Sequence, residues 1–227
     1  MSRRNSEFDL EKHSVRDINA ALHAAHDGVF TIRNPGGAHA LACGVKAPLD
    51  ITIEGHTGYY SAGMNQLAKI RVQGNAGTGF AVNIMSGEAR VTGNVSQSLG
   101  ATGCGGLVVV EGSASARAGI SMRGVDIVVG GDVGHMSAFM AQAGRLVVLG
   151  DAGADLGDSL YEAEIFVAGK VESLGTDCEE QELDANRLVA LSDVLRRAAF
   201  DADPKSFRCF GSARRLYNFK IDNAGAG

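Results

Sequence analysis

Seven glycines recur every 19 residues through the middle of the chain: Gly55, Gly74, Gly93, Gly112, Gly131, Gly150 and Gly169. A fixed period of this length marks a repeat architecture, in which each unit buries its apolar face by stacking on its neighbours. Flanking positions repeat in the same register. Four residues before each glycine stand Ile51, Ile70, Ala89, Val108, Ile127, Leu146 and Ile165, and two before it Ile53, Val72, Val91, Val110, Val129, Val148 and Val167. The residue between these columns is unconstrained: Thr52, Arg71, Arg90, Val109, Val128, Val147, Phe166. The pattern is a short strand with apolar side chains at period two, closed by a residue free to take φ > 0. Seven residues after each glycine the side chain is small (Ala62, Ala81, Gly100, Gly119, Ala138, Gly157, Thr176), as a tight corner or a close approach of two walls requires.

Nineteen residues are too few for a helical repeat, which needs about 33 or more, and the Leu and Asn ladder of leucine-rich repeats is missing. They fit one coil of a parallel β-helix. The fold expected is therefore all-β: about seven stacked coils over residues 29–180, roughly 34 Å long at the usual strand spacing, with the apolar columns filling the bore. No proline stands between Pro48 and Pro204, as expected where nearly every strand N–H is paired.

Two flanks remain. Residues 1–28 form a capping segment with an amphipathic helix over 14–26, begun by Ser14 and Asp17 as a partial capping box and presenting Val15, Ile18 and Leu22 on one face. Residues 29–32 read as a strand, and Asn34-Pro35-Gly36-Gly37 as a turn, with Gly36 one period before Gly55. Residues 181–227 hold a helix over 184–200 and a basic, aromatic tail. Acidic residues Asp177, Glu179, Glu180 and Glu182 precede that helix. The tail residues Phe207, Phe210, Arg214, Arg215, Tyr217 and Phe219 are the candidates for docking a partner, because aromatic and arginine anchors dominate interfaces.

Composition narrows the function. The net charge is −5 with dispersed cations, which excludes nucleic acid as the main partner. No apolar run reaches the length of a membrane span, and Ser2-Arg3-Arg4 lacks the apolar segment of an export signal. The four cysteines, Cys43, Cys104, Cys178 and Cys209, form no Cys-x-x-Cys pair and read as reduced thiols of a cytoplasmic protein. Residues 100–106 are Gly-rich but lack the Gly-Lys-Ser/Thr ending of a phosphate loop, and the calcium-binding nonapeptide is approached once, at Gly130-Gly131-Asp132. No histidine pair has helical metal spacing, and His135 reads as a surface residue of a turn. Cys104 reads as an inert thiol, and Asp151, Asp155 and Asp158 as solvated or backbone-capping carboxylates. The expectation is no catalytic residue, no cofactor and no metal in this chain.

Asn34-Pro35-Gly36-Gly37-Ala38-His39, residues 93–101 and the turns Gly131-Asp132-Val133-Gly134 and Gly150-Asp151-Ala152-Gly153 resemble the Gly-x-Gly-x-Gly domain of glutamate synthase, over residues 29–180. The resemblance implies a single-stranded right-handed β-helix. In glutamate synthase this domain is fused to a glutamine-amidotransferase domain and an FMN and iron–sulfur synthase domain. Standing alone, the chain is most similar to the GlxC-like β-helix subunit of N-methylglutamate synthase. That likeness implies partners of two kinds, a class II glutamine-amidotransferase-like subunit and an FMN-binding synthase subunit, with flavin and iron–sulfur clusters in the partners. Related domains also occur in formylmethanofuran dehydrogenase and formyltransferase/hydrolase complexes, which offer a second reading; a ligand-binding β-helix module is a third. A left-handed acyltransferase helix fits poorly, since its six-residue repeat gives about 18 residues per coil.

Overall fold

The computed structural model describes residues 5–216. Nine parallel strands stack in chain order: β1 (Asn5–Asp9), β2 (Gly28–Arg33), β3 (Leu49–Glu54), β4 (Lys69–Val72), β5 (Glu88–Val91), β6 (Leu107–Val110), β7 (Arg123–Val129), β8 (Ala143–Val148) and β9 (Glu164–Val167). From β3 onward the register follows the glycine period, with Ile53 beside Val72, Val72 beside Val91, Val110 beside Val129, and Val148 beside Val167. Both apolar columns point inward and are fully or almost fully buried. A second ladder of single bridges, Thr57–Ala76–Val95–Ala114–Val133–Ala152–Val171, closes each coil two residues past its glycine. The chain is a parallel β-helix. None of its described helices is long and apolar enough to cross a membrane.

The glycine column has a different cause from the one its position suggests. Gly55 has φ +137°, but the glycines from Gly74 to Gly169 in this column do not have positive φ. They are glycines because two things crowd each site. Each glycine N–H from Gly93 onward donates to the glycine carbonyl one coil below, as from Gly150 to Gly131 at 3.1 Å. The next residue also projects its side chain along the stack. His56 Nδ1 accepts from Asn75 N–H (2.8 Å), Asn75 Oδ1 from Asn94 N–H (2.8 Å), and Asn94 Oδ1 from Ser113 N–H (2.8 Å). Ser113 Oγ then accepts from Asp132 N–H (3.0 Å), Asp132 Oδ1 from Asp151 N–H (2.7 Å), and Asp151 Oδ1 from Lys170 N–H (2.7 Å). Lys170 has no acceptor to continue the ladder. A Cβ on Gly150 would overlap Asp132 Oδ1, and one on Gly93 would overlap Asn75 Oδ1.

Left-handed backbone occurs instead at the small column. Ala62, Ala81, Gly100, Gly119, Ala138 and Gly157 all have φ between +56° and +70° and are turned inside the corner, which is why the position excludes large side chains. The irregular first coil starts elsewhere than expected. Arg33 pairs with Glu54, an offset of 21 residues, so the counterpart of Gly55 is Asn34 (φ +54°) and not Gly36.

Both flanks belong to the solenoid. Helix α1 (Val15–Ala24) has the expected N-cap, with Asp17 N–H donating to Ser14 Oγ at 3.2 Å, and seats Ile18 and Leu22 in the core at the first coils. The segment before it is not only a cap: β1 pairs in parallel with β2, so the sheet begins at residue 5 and not at 29. Helix α2 (Ala185–Ala198), N-capped by Asp184, lies along the side. Its Leu191, Val194, Leu195 and Ala198 cover Val109, Val128, Val147 and Phe166, the later members of the column between the two apolar ones. Arg197 reaches the nearly buried Asp126 (2.8 Å), Arg187 holds Glu164 (2.9 Å), and Arg90 caps the helix end through the Ala198 carbonyl (3.0 Å). After a 3₁₀ turn (Pro204–Ser206), β11 (Arg208–Ser212) inserts antiparallel between β9 and β10 (Cys178–Gln181), so the last described strand lies inside the sheet and not at its edge.

Candidate docking surfaces

The tail residues expected to dock a partner divide three ways. Phe207, just ahead of β11, is 4% exposed and Phe210, within it, 0%; both are core, in different apolar clusters, and are not free to anchor another chain. Alternation along β11 turns Cys209 toward α2 and Phe210 toward the bore, and Phe207, one residue ahead of the strand, packs on the α2 side with Cys209. Arg214 and Arg215 are exposed but already engaged, Arg214 with Glu162 (2.6 Å) and Arg215 with Glu179 (3.6 Å). Tyr217 and Phe219 lie outside the described residues.

The acidic run before α2 and the basic tail after it are partners of each other. Arg208 forms a two-pronged pair with Glu180 (3.0 and 2.5 Å) and lies 5.0 Å over the Phe210 ring. Asp177 accepts from Arg215 N–H and Ser212 Oγ (both 2.9 Å), while its carbonyl takes Ala213 N–H (2.8 Å). Partial desolvation raises the Asp177 pKa, but these hydrogen bonds outweigh it and hold the carboxyl below its usual range. The Arg208 guanidinium likewise lowers that of Glu180.

The other singled-out groups serve the fold. Asp151 is a rung of the ladder; Asp155 N–H donates to Ser173 Oγ (2.9 Å); Asp158 accepts from Ser159 Oγ (2.6 Å) and Thr176 N–H (3.1 Å). His135 is exposed in its turn. Burial pushes the Cys178 thiol up to about 12 and that of Cys209 to about 11, well away from reactive thiolates. Cys104 is half-buried with its thiol 3.6 Å from the Thr102 carbonyl. Among the described residues no group of three or more His, Cys, Asp and Glu is placed to hold a metal ion.

One surface has no counterpart in the expectations. Tyr59, Tyr60, Met64, Leu67 and Met85 are each about half exposed, and all belong to the turns that follow β3 and β4. Their rings are pinned. Tyr59 stacks on His39 (centroids 4.6 Å apart, planes at 17°), whose Nδ1 accepts its N–H at 2.9 Å. A Cβ on Gly77 would stand 2.9 Å from the Tyr59 ring, and one on Gly79 2.6 Å from that of Tyr60, so both rings sit close against glycine positions of the next coil. The signal was present in the sequence. At the same coil positions later turns carry Thr78, Gly79, Asn83, Ser86 and Cys104, and then Gln97, Ser98 and Thr102.

Comparison with curated proteins finds Protein GlxC of Rhizobium meliloti (strain 1021), 54% identical over 224 residues, which cover 96% of this chain and 98% of that protein. No family model matches, and neither does any solved structure.

Proposed function

Since the chain belongs to the GlxC family, we propose that it is a non-catalytic bracing subunit of a glutamate-synthase-like assembly, specifically an N-methylglutamate synthase. In that reaction glutamate and methylamine give N-methylglutamate and ammonia. An amidotransferase-like subunit and an FMN-binding synthase subunit carry the chemistry, and this chain holds them in register on the flanks of its solenoid. The observation that carries the reading is the stack itself, a parallel β-helix such as the likeness to the glutamate synthase domain implies, with its coils fastened by a side-chain ladder from His56 to Lys170. A body braced along its whole length transmits position between two bound chains without bending, which is what a spacer requires.

The test is co-expression of this chain with the two other subunits. The expected product is a stoichiometric hetero-oligomer with a flavin spectrum, whose methylamine-dependent turnover falls when this chain is omitted. Purification of the isolated chain with bound flavin, or full turnover by the other two subunits alone, contradicts the reading.

A further inference from the structure

Two imidazoles do in the first coils what carboxamides and a hydroxyl do in later ones. His56 is the foot of the side-chain ladder. Its Nδ1 accepts Asn75 N–H at 2.8 Å, where Asn75 and Asn94 offer a side-chain oxygen to the next two rungs. His39 makes a matching bond one coil earlier, its Nδ1 accepting Tyr59 N–H at 2.9 Å. The packing matches too. A Cβ on Gly58, just before Tyr59, would stand 2.1 Å from His39 Nδ1, and one on Gly93, just before Asn94, 2.2 Å from Asn75 Oδ1. The coil that follows β3 is thus tied to the coil before it by one imidazole and to the coil after it by another.

A backbone amide can only donate, so both Nδ1 atoms are acceptors and both rings are neutral, with their hydrogen on Nε2. A ring that takes a proton carries N–H on both nitrogens and can no longer accept. The Asn and Ser side chains of later rungs keep their acceptors between about pH 5 and 8, where histidine changes charge. Both rings are exposed, so solvent protons reach them. Residues 34–45, 55–68 and 72–87, the arcs stacked around the rings, contain no Asp, Glu, Lys or Arg. Their other titratable side chains are Cys43, Tyr60 and Tyr59, whose ring stacks on His39. Charges bound these arcs at Arg33 and Glu54, which pair with each other (3.4 Å), at Lys46 and Lys69, at Arg71, which pairs with Glu111 (3.3 Å), and at Glu88, which pairs with Arg90 (3.1 Å). On α1, Asp17 is held by Ser14, and His23 donates from Nε2 to the Cys43 carbonyl (2.8 Å), a bond open to both of its charge states.

We propose that His39 and His56 form an acid-sensitive fastening of the first coils. As neutral rings they hold the coil after β3 to its two neighbours; on taking a proton at Nδ1 they release the Tyr59 and Asn75 amides, while the rungs from Asn75 to Ser113 stay closed. Proton uptake costs the folded chain these bonds and costs the unfolded chain none, so acid weakens the fold through this pair.

Nitrogen-15 NMR of the full chain tests this. At pH 8 both rings should carry their hydrogen on Nε2. Between pH 8 and pH 5 the Tyr59 and Asn75 amide signals should move in step with proton uptake by His39 and His56. Their protection from exchange, relative to an unstructured chain at the same pH, should fall about fivefold, as for one ordinary hydrogen bond. The Asn94 and Ser113 amides should not respond. His39→Asn with His56→Asn supplies the acceptor of the later rungs without the titration. That variant should keep the wild-type Tm at pH 8 and lose less Tm than the wild type on going to pH 5. A ring with its hydrogen on Nδ1 at pH 8, or Tyr59 and Asn75 amides that ignore the titration of their rings, overturns the proposal. So does a folded double variant that loses as much Tm in acid as the wild type. If the double variant does not fold, the wild-type titration decides alone.

Discussion

The early and late coils share one bore and differ in one outward column. Beside the inward Ile and Val columns, the first coils present Thr31, Thr52, Arg71 and Arg90; the later ones present Val109, Val128, Val147 and Phe166. Among the described residues no helix covers the polar half, and the apolar half is roofed by α2 and joined by β11. Arg90 stands at the border and uses its guanidinium to cap the end of α2. A single column thus decides which half takes a roof from the chain's own helix.

The difference is broken most severely by removing the C-terminal segment. Truncation before Phe207 takes away β11 with Phe207, Cys209 and Phe210 and uncovers one edge of β9 and of β10. The expected loss exceeds about 5 kcal/mol, read as insolubility or a collapse of Tm. This reverses the expectation that the tail serves assembly more than the fold. A truncated chain with wild-type Tm would contradict the placement of β11.

Opposite substitutions in the same column sharpen the contrast. Val128→Asp buries an unpaired charge under α2 and should cost about 3–5 kcal/mol, whereas Arg71→Ser on the bare half should stay within about 0.5 kcal/mol. Denaturant melts of the two variants measure this directly. The ladder, common to both halves, is probed next. Gly150→Ala drives a Cβ into Asp132 Oδ1 and should cost about 1–3 kcal/mol, while Gly37→Ala, with open space around the added atom, should lose less despite the strain of its φ of +78°.

Smaller effects concern the clasp at the covered end. The folded-state pKa of Asp177 is depressed, so its contribution is present above its ordinary 3.8 and is lost as the pH falls through the lower folded value. The Arg215 amide should therefore lose its hydrogen bond only in strong acid, which NMR chemical shifts detect; Asp177→Asn should abolish the titration. Cys178 and Cys209 should resist iodoacetamide at pH 8 in the folded chain and react on unfolding, as judged by mass spectrometry.

Local and periodic features were legible in the sequence. The strand register from Ile51 to Val167 follows from the 19-residue spacing, and the start of α1 from Ser14 and Asp17, because each depends on side chains close in the repeat. What depends on distant chain was not. β11 pairs with strands outside its own neighbourhood in sequence and carries no repeat register, so Phe207 and Phe210 read as free anchors in the sequence. The glycine column is legible but its cause is not, since the space it leaves is filled by the side chain of a neighbouring coil, such as Asn94 Oδ1 over Gly112. The outward column reads as unconstrained because its change of character at Val109 means nothing until α2 lies over it.

Amide hydrogen exchange on the chain tests the division into a roofed and a bare half most directly. The account predicts slower exchange for the amides of β7, β8 and β9, whose outward column lies under the helix over Ala185–Ala198, than for those of β3, β4 and β5. Equal protection of the two groups of strands, or faster exchange beneath the helix, would contradict it.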